Sequence, residues 1–514
     1  MNYFAVAGMC LTAAAVLALA VHAFKFQCDS AKGFKLILIF AAAVFSVYSG
    51  IMVYKYYTMY LGLWDFGIYD SLLHNTASGK GFMRDYRGPF DHFSPAALIL
   101  VPLYWLFDNP LVLIFFQSAV MAAAAVPLYL LAGRYFRKPA MPLLLTAMYL
   151  LNPYYSRMAL YDFHIECLFP LVFFSAWLAF ACRRMRMFTL ILICVPLIKE
   201  DLLIPLAASG LFLCSRRKTM LYGIICLAAA LLWSLFVLKV WFPVTLGTQY
   251  QHYGRFPPLL GCDFMDTVNN LRLIAGQCFS QNSMAVLCSV LLPFAFLPVF
   301  SPRSFLLLLC PVLFIQFCTI FLHQQLLMSH YSSAVIAVTP LAAIFGARFL
   351  RVSVRKWRLP VRLRKYSFRF SACLLVVAHV AFCDLPFVSY HEYVKQYKPG
   401  FQFGVLSVPL YNYRFLFFDH AVLFHDLRAN IPAGVSITAQ NNLGYFFVRS
   451  NPLYRMPGPD NSGIFLFDGK TSVGFDQECM ERRFDWLLKN PDYILLLKQD
   501  GIFMFCRKNL AVKP

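Results

Sequence analysis

Long apolar runs, cut at intervals by short basic clusters, set the pattern of this chain from its first residues to about position 388. A helix needs roughly 20 apolar residues to cross a bilayer. Runs of that order occupy 3–24, 36–57, 110–132, 166–182, 219–240, 284–300, 304–322, 331–350 and 370–388. Shorter runs at 139–152, 187–198 and 202–214 are ambiguous by length, and loop charge decides how they are read. If all of these runs span, about twelve in number, and the N-terminus lies outside, the basic clusters fall on one side, as the positive-inside rule requires. Those clusters are Lys25, Lys32 and Lys35; Arg134, Arg137 and Lys138; Arg183, Arg184 and Arg186; Arg216, Arg217 and Lys218; Arg303; and the strongly basic stretch 348–369, with Asp29 as the one acid among them. The run at 95–107 is read as interfacial. The opening run lacks a basic leader and is long for a signal peptide, so it is read as a retained helix.

Past position 388 the pattern changes to that of a soluble domain. The segment FDHAVLFHDLRANIPAGVSITAQ predicts an amphipathic helix, a Pro/Gly turn and a strand. ECMERRFDWLLKNPDYILLLKQDGIFMFCRKN predicts a helix, a turn, a strand and an Asp-Gly turn into a further strand. The expected architecture is therefore an all-α polytopic bundle with a small C-terminal α/β domain on the extracytoplasmic face. Its parts are two N-terminal transmembrane helices (1–57), a first extracytoplasmic loop with interfacial helices (58–109), the rest of the bundle (110–388) and the α/β domain (389–514). Both termini are then extracytoplasmic, and the absence of N-x-S/T acceptor sites from the outer segments favours a bacterial inner membrane.

Composition agrees with the pattern and narrows the class. The chain is 60% hydrophobic and 13% charged, whereas soluble domains run at roughly 45–50% and 25%. The net charge of +21 is spent in the loops, and no basic stripe interleaved with aromatics tracks a phosphate backbone, which argues against nucleic acid. The 16 cysteines are scattered, without CxxC or zinc spacing. Cys262 with Cys278, and Cys479 with Cys506, are the pairs that an oxidising outer face can join.

With this topology the ionisable residues near membrane depth gather on one face, where such groups are costly and tend to be functional. The first outer loop opens on LGLWDFGIYDSLLHN, with Asp65 and Asp70, and closes on GPFDHFSP, with Asp91 and His92. The next outer turn, YYSRMALYDFHIE, carries Arg157, Asp162, His164 and Glu166; LIKEDLL carries Lys199, Glu200 and Asp201; LHQQLLMSHY carries His323 and His330. Taken singly each has a structural reading: Asp65 and Asp70 as helix caps, the charged triplet as a turn between short helices. Asp162, His164 and Glu166 alternate along an extended turn and fit a divalent metal (Mg²⁺, Mn²⁺ or Zn²⁺) as well as plain solvation. Together, carboxylates able to act as general base and cations able to hold a phosphate suit transfer chemistry at a lipid phosphate.

The runs WDFGIYDSLLHNTASGKGF, DHFSPAALILVPLYWLF, YDFHIECLFPL, LIKEDLLIPLAASGL and SHYSSAVIAVTPLAA, with the C-terminal IPAGVSITAQNNLGYFFVRSNPLYRMP and PDYILLL, resemble a bacterial and archaeal family of polytopic predicted membrane proteins of unknown function. That family in turn resembles the GT-C superfamily of integral membrane glycosyltransferases, which use polyprenyl-phosphate-linked sugars. The resemblance implies a catalytic acid in the first extracytoplasmic loop, a position matched by Asp65, with Asp70 as the second acid. Two departures stand out: a helix at 3–24 precedes the usual first one, and the acids lie five residues apart where some branches have an adjacent pair. The function so implied is sugar transfer from a polyprenyl-phosphate carrier to an extracytoplasmic acceptor. In it Asp65 is the base, Lys199 with Arg157 or His330 holds the leaving lipid phosphate, and His92, Asp162, His164, Glu166, Glu200 and Asp201 shape the site. The alternatives are a transporter or flippase of a lipid-linked or anionic substrate, and a non-catalytic membrane assembly factor.

Overall fold

The computed structural model describes residues 31–247, 250, 254–258, 263–356, 370–371, 373–375, 378–379, 418–469 and 477–510. Among these, four helices are long and apolar enough to cross a membrane: Lys32–Tyr57, Leu111–Tyr135, Arg217–Val244 and Leu322–Ser353. Shorter apolar helices cover Pro95–Phe107, Ala140–Leu150, Ile165–Ala181, Met185–Leu197, Gln281–Phe294 and Pro302–Phe317, and Leu203–Cys214 is a further one. They fall where the apolar runs predict helices, but proline and short 3-10 segments break several below spanning length, as at Val195–Leu197 and Leu292–Phe294. The run at 3–24 lies outside the described residues, as does most of 370–388.

Burial separates a central helix from peripheral ones. Leu111–Tyr135 is almost wholly enclosed, whereas Arg217–Val244 is mostly uncovered and exposes Leu221, Ile224, Leu231, Leu232 and Leu235. An exposed apolar face of that extent suits a membrane-facing helix. The central helix can be enclosed because small residues let its neighbours approach: Ala122, Ala123, Ala124 and Ala125 are all fully buried.

The 58–109 loop carries a π-helical turn, Leu63–Gly67, that runs straight into the helix Ile68–Ala77. A small hairpin follows, β1 (Arg84–Asp85) with β2 (Gly88–Pro89). The C-terminal sheet holds β3 (Ile437–Ala439), β4 (Leu453–Arg455), β5 (Ile464–Asp468), β6 (Tyr493–Gln499) and β7 (Ile502–Arg507). Their order is β4-β3-β5-β7-β6, with β3 parallel to β4 and β5, and β7 antiparallel to β5 and β6. The helix at Phe418–Ala429, the strand after it, the helix at Gln477–Lys489 and the β6–β7 hairpin all follow the sequence reading; β4 and β5 it did not resolve.

Strand alternation explains how the sheet sits. Side chains of a strand point to opposite faces in turn. Ile464, Leu466, Ile502, Met504 and Cys506 join the same continuous core as the bundle. Phe465, Phe467 and Phe505 face the other way, into a cluster with Leu487 of the helix Gln477–Lys489. The sheet is thus packed on both faces, which is why β5 is buried along its whole length. Cys278, Cys479 and Cys506 carry free thiols, so the expected Cys479–Cys506 bridge is absent; Cys506 lies in β7, facing the bundle side. Cys262 lies outside the described residues.

Candidate functional site

A cavity of about 640 Å³ opens where the 58–109 loop, the 161–166 turn, the 199–201 turn and β4 meet. Asp65, His92, His164, Lys199, Arg255 and His330 line it, with Trp64, Tyr454 and Arg455 among the remaining wall residues. A second chamber of about 220 Å³ shares His92, Lys199, Arg255 and Tyr331 with the first and reaches Ile204, Val312 and Ile315 of the bundle helices.

Asp65 owes its position to the π-helical turn, closed by the Gly67 N–H donating to the Gly62 carbonyl at 3.2 Å. The wider turn carries its carboxylate inward, leaving it 28% exposed. Tyr161 donates its hydroxyl to Asp65 Oδ2 at 2.5 Å, and His164 Nε2 lies 3.4 Å from Oδ1. The other His164 nitrogen, Nδ1, faces the Asp162 carbonyl at 3.1 Å. With an oxygen acceptor before each ring nitrogen, the imidazole is satisfied best as the doubly protonated cation. The electrostatics agree. Burial works against the Asp65 carboxylate, but the His164 charge and the hydrogen bonds from His164 and Tyr161 outweigh it and hold its pKa below the usual value. Burial likewise opposes the His164 cation, and Asp65 more than compensates, raising the His164 pKa.

The 161–166 turn is fixed from below by Gln117, a buried amide in the apolar helix Leu111–Ala123. Its Oε1 accepts the His164 N–H at 3.1 Å, and its Nε2 donates to the Met158 and Tyr161 carbonyls at 3.2 and 3.0 Å. Sequence reasoning passed over it, although a lone amide inside an apolar run is a signal of buried polar contacts. The His330 ring stacks on His164 with centroids 3.7 Å apart, and among the described residues its buried Nδ1 has no hydrogen-bond partner.

Two ion pairs tie the remaining walls together. Lys199 Nζ meets Glu166 Oε1 at 2.5 Å. Glu200 accepts from His92 Nδ1 at 2.7 Å and from the Phe93 N–H at 3.0 Å, which fastens the 58–109 loop to the 199–201 turn. Asp201 lines the smaller chamber. Arg255, absent from the sequence-based candidates, stacks its guanidinium 4.8 Å from the Phe321 ring, donates to the Tyr331 hydroxyl at 2.9 Å and lines both chambers.

Three expectations fare differently. Asp70 is not in the cavity wall: it is buried, accepts from Tyr104 at 2.9 Å and is clasped through both oxygens by Arg449 of the C-terminal domain. Arg157 is buried with its guanidinium 5.1 Å over the Tyr154 ring and is not among the residues that line the cavity. Asp162, His164 and Glu166 do not converge on one point, because Asp162 accepts the Gly62 N–H at 2.8 Å, His164 faces Asp65 and Glu166 pairs with Lys199. Among the described residues no three His, Cys, Asp or Glu side chains are grouped to hold a metal ion, so the divalent metal finds no ligand set in that turn.

The family of predicted membrane proteins DUF2079 matches residues 55–500. The chain belongs to that family. Every cavity residue named above lies inside the DUF2079 match, as do the C-terminal residues that cover the cavity. Among solved structures, the crystal structure of ArnT from Cupriavidus metallidurans bound to undecaprenyl phosphate is 12% identical, with 94% of this chain and 100% of that chain covered and a TM-score of 0.47. No curated protein matches the DUF2079 chain.

Proposed function

We propose that this membrane protein is an integral membrane glycosyltransferase of the bacterial inner membrane, moving a sugar from a polyprenyl-phosphate carrier to an acceptor hydroxyl outside the cytoplasm. The observation that carries the reading is the convergence on one cavity of an ionised carboxylate, Asp65, and several cationic or imidazole groups from distant parts of the chain: His92, His164, Lys199, Arg255 and His330. A carboxylate facing an open cavity is placed to take a proton from an acceptor, and Arg and Lys favour a phosphate leaving group.

In this reaction the acceptor oxygen bonds to the anomeric carbon as the bond from that carbon to the carrier phosphate breaks. The hydroxyl proton goes to Asp65, and the electron pair leaves with the lipid phosphate. His164 keeps Asp65 ionised and oriented, Tyr161 shares the second oxygen, and Lys199 and Arg255 stabilise the departing phosphate. Arg255 replaces Arg157 in that role because it alone of the two lines the cavity. Asp70 has no part in the chemistry, since Arg449 and Tyr104 occupy its oxygens.

The test uses purified wild type and Asp65→Asn in lipid nanodiscs, with a panel of radiolabelled polyprenyl-phosphate sugars and membranes as acceptor source. Sugar leaving the carrier in wild type but not in the variant supports the reading. Carrier that crosses the bilayer unconsumed in reconstituted vesicles overturns it in favour of a flippase.

A further inference from the structure

The turn that bears Asp65 is gripped by residues nearly four hundred positions away in sequence. Asn441 Oδ1 accepts the Trp64 N–H at 3.1 Å. The Arg455 guanidinium lies 3.4 Å from the Trp64 ring centroid. Tyr445 packs edge-on against Phe66 with centroids 5.7 Å apart and donates its hydroxyl to the Tyr56 carbonyl at 2.6 Å. On the opposite side Asp162 accepts the Gly62 N–H. Two glycines permit the close fit. A Cβ on Gly62 would stand 2.7 Å from Asn441 Nδ2 and 2.8 Å from Asp162 Oδ2, and one on Gly444 would meet Leu63 Cδ2 at 2.7 Å.

A π-helical turn is the least favourable of the helical turns and persists where its surroundings hold it. Here one residue on each side of Asp65 is held by the C-terminal domain: Trp64 by Asn441 and Arg455, Phe66 by Tyr445. Releasing either grip lets the turn relax toward ordinary helical geometry, which swings the Asp65 carboxylate away from Tyr161 and His164.

We propose that the C-terminal domain sets the geometry of the Asp65 turn, with Asn441 and Arg455 as positioning residues for that carboxylate. This rests on the reading of Asp65 as the base, and it makes the outer domain part of the catalytic apparatus rather than only a cover. Neither residue need touch a substrate. Each acts through Trp64.

The experiment reads Asp65 directly. Wild type, Asn441→Leu, Arg455→Ala and Arg455→Lys are placed in nanodiscs and treated with a carbodiimide and an amine nucleophile across a pH series. Modification at Asp65 is quantified by peptide mass spectrometry. The protonated carboxyl adds to the carbodiimide, its oxygen bonding to the central carbon and its proton passing to a nitrogen, so the midpoint of labelling reports how well His164 and Tyr161 hold the ionised form. Wild-type labelling emerges only below the ordinary Asp value of about 3.9. In Asn441→Leu and Arg455→Ala the midpoint moves up by about one unit, the low end of the shift a lost opposite charge gives; Arg455→Lys, which keeps a cation over the ring, moves it less. Arg483→Ala is the control. It loosens the same domain at Trp486 and Asp460 without touching the turn, and it leaves the Asp65 midpoint unchanged even where it lowers the melting temperature. An unmoved midpoint in both Asn441→Leu and Arg455→Ala overturns the proposal, and so does an equal shift in Arg483→Ala. If the midpoints move as expected but wild type consumes no carrier sugar, the positioning stands and the transferase reading is what fails.

Discussion

Asp65 and Asp70 stand five residues apart on one loop, yet the structure gives them opposite surroundings. Asp65 faces a cavity, partly open, with a titratable imidazole and a phenol as its neighbours. Asp70 is sealed between Tyr104 and Arg449, its oxygens fully engaged, with Arg449 also reaching Asp108 at 2.8 Å. Both are acids at a helix start. What separates them is the π-helical turn: by widening the helix just before Ile68 it sends the first carboxylate toward the cavity and leaves the second facing the C-terminal domain. A carboxylate with free access and a switchable neighbour can do chemistry; one held in an ion pair between two domains holds the domains.

The largest break in that comparison comes from Asp65→Asn. If Asp65 is the base, turnover of the carrier sugar falls by about 10²–10⁴-fold, with the melting temperature of the protein in nanodiscs nearly unchanged. The mirror experiment is Asp70→Asn, which leaves Arg449 short of its counter-charge. Breaking a buried ion pair from one side costs about 3–5 kcal/mol; with Asp108 still within reach of Arg449, about 2 kcal/mol is expected, measured as a lowered unfolding midpoint. Turnover per folded molecule stays within a few-fold of wild type. Replacing both partners together, Asp70→Leu with Arg449→Leu, recovers most of the stability.

A gentler test varies pH. The account needs Asp65 ionised and His164 protonated. Activity is lost as pH falls through the Asp65 pKa, held below the ordinary value of about 3.9, and is lost again as pH rises through the His164 pKa, raised above about 6.5. The rate profile is therefore a plateau across mildly acidic pH, and Tyr161→Phe moves its acid limb upward by removing one hydrogen bond to the carboxylate.

The smallest effect is expected at Asp162. Burial, with Asp65 adding and Lys55 opposing, pushes its pKa up to about 7. It is protonated in the fold over a range where the unfolded chain has already lost the proton, so its contribution to stability declines as pH rises from about 3.9 toward that value and is constant beyond it. Asp162→Asn removes this slope: the variant melts a few degrees above wild type at pH 8 and level with it at pH 4.

The sequence carried the larger architecture because membrane helices announce themselves locally. Apolar length and basic loops located the helices, and the Asp-Gly step at Asp500–Gly501, both at positive φ, located the last hairpin. Asp65 was legible because it directly follows an apolar run in a loop rich in polar residues. Asp70 looked the same on those grounds, and its true partner, Arg449, lies 379 residues away, beyond any local pattern. Asn441 and Arg455 were missed for the same reason: each is ordinary in its own segment and acquires meaning only from the fold, whereas Gln117, the lone amide of an apolar run, carried a local signal. Arg255 sits in a loop whose neighbours gave no helix or strand period by which to orient it.

One paired measurement sets the two acids side by side. Carrier-sugar turnover and thermal unfolding are measured for Asp65→Asn and Asp70→Asn in the same nanodisc preparation. The account predicts a crossed result: Asp65→Asn inactive with wild-type stability, Asp70→Asn active when folded but less stable. Two variants that lose activity in proportion to lost stability, or an Asp65→Asn protein that turns over normally, would contradict it.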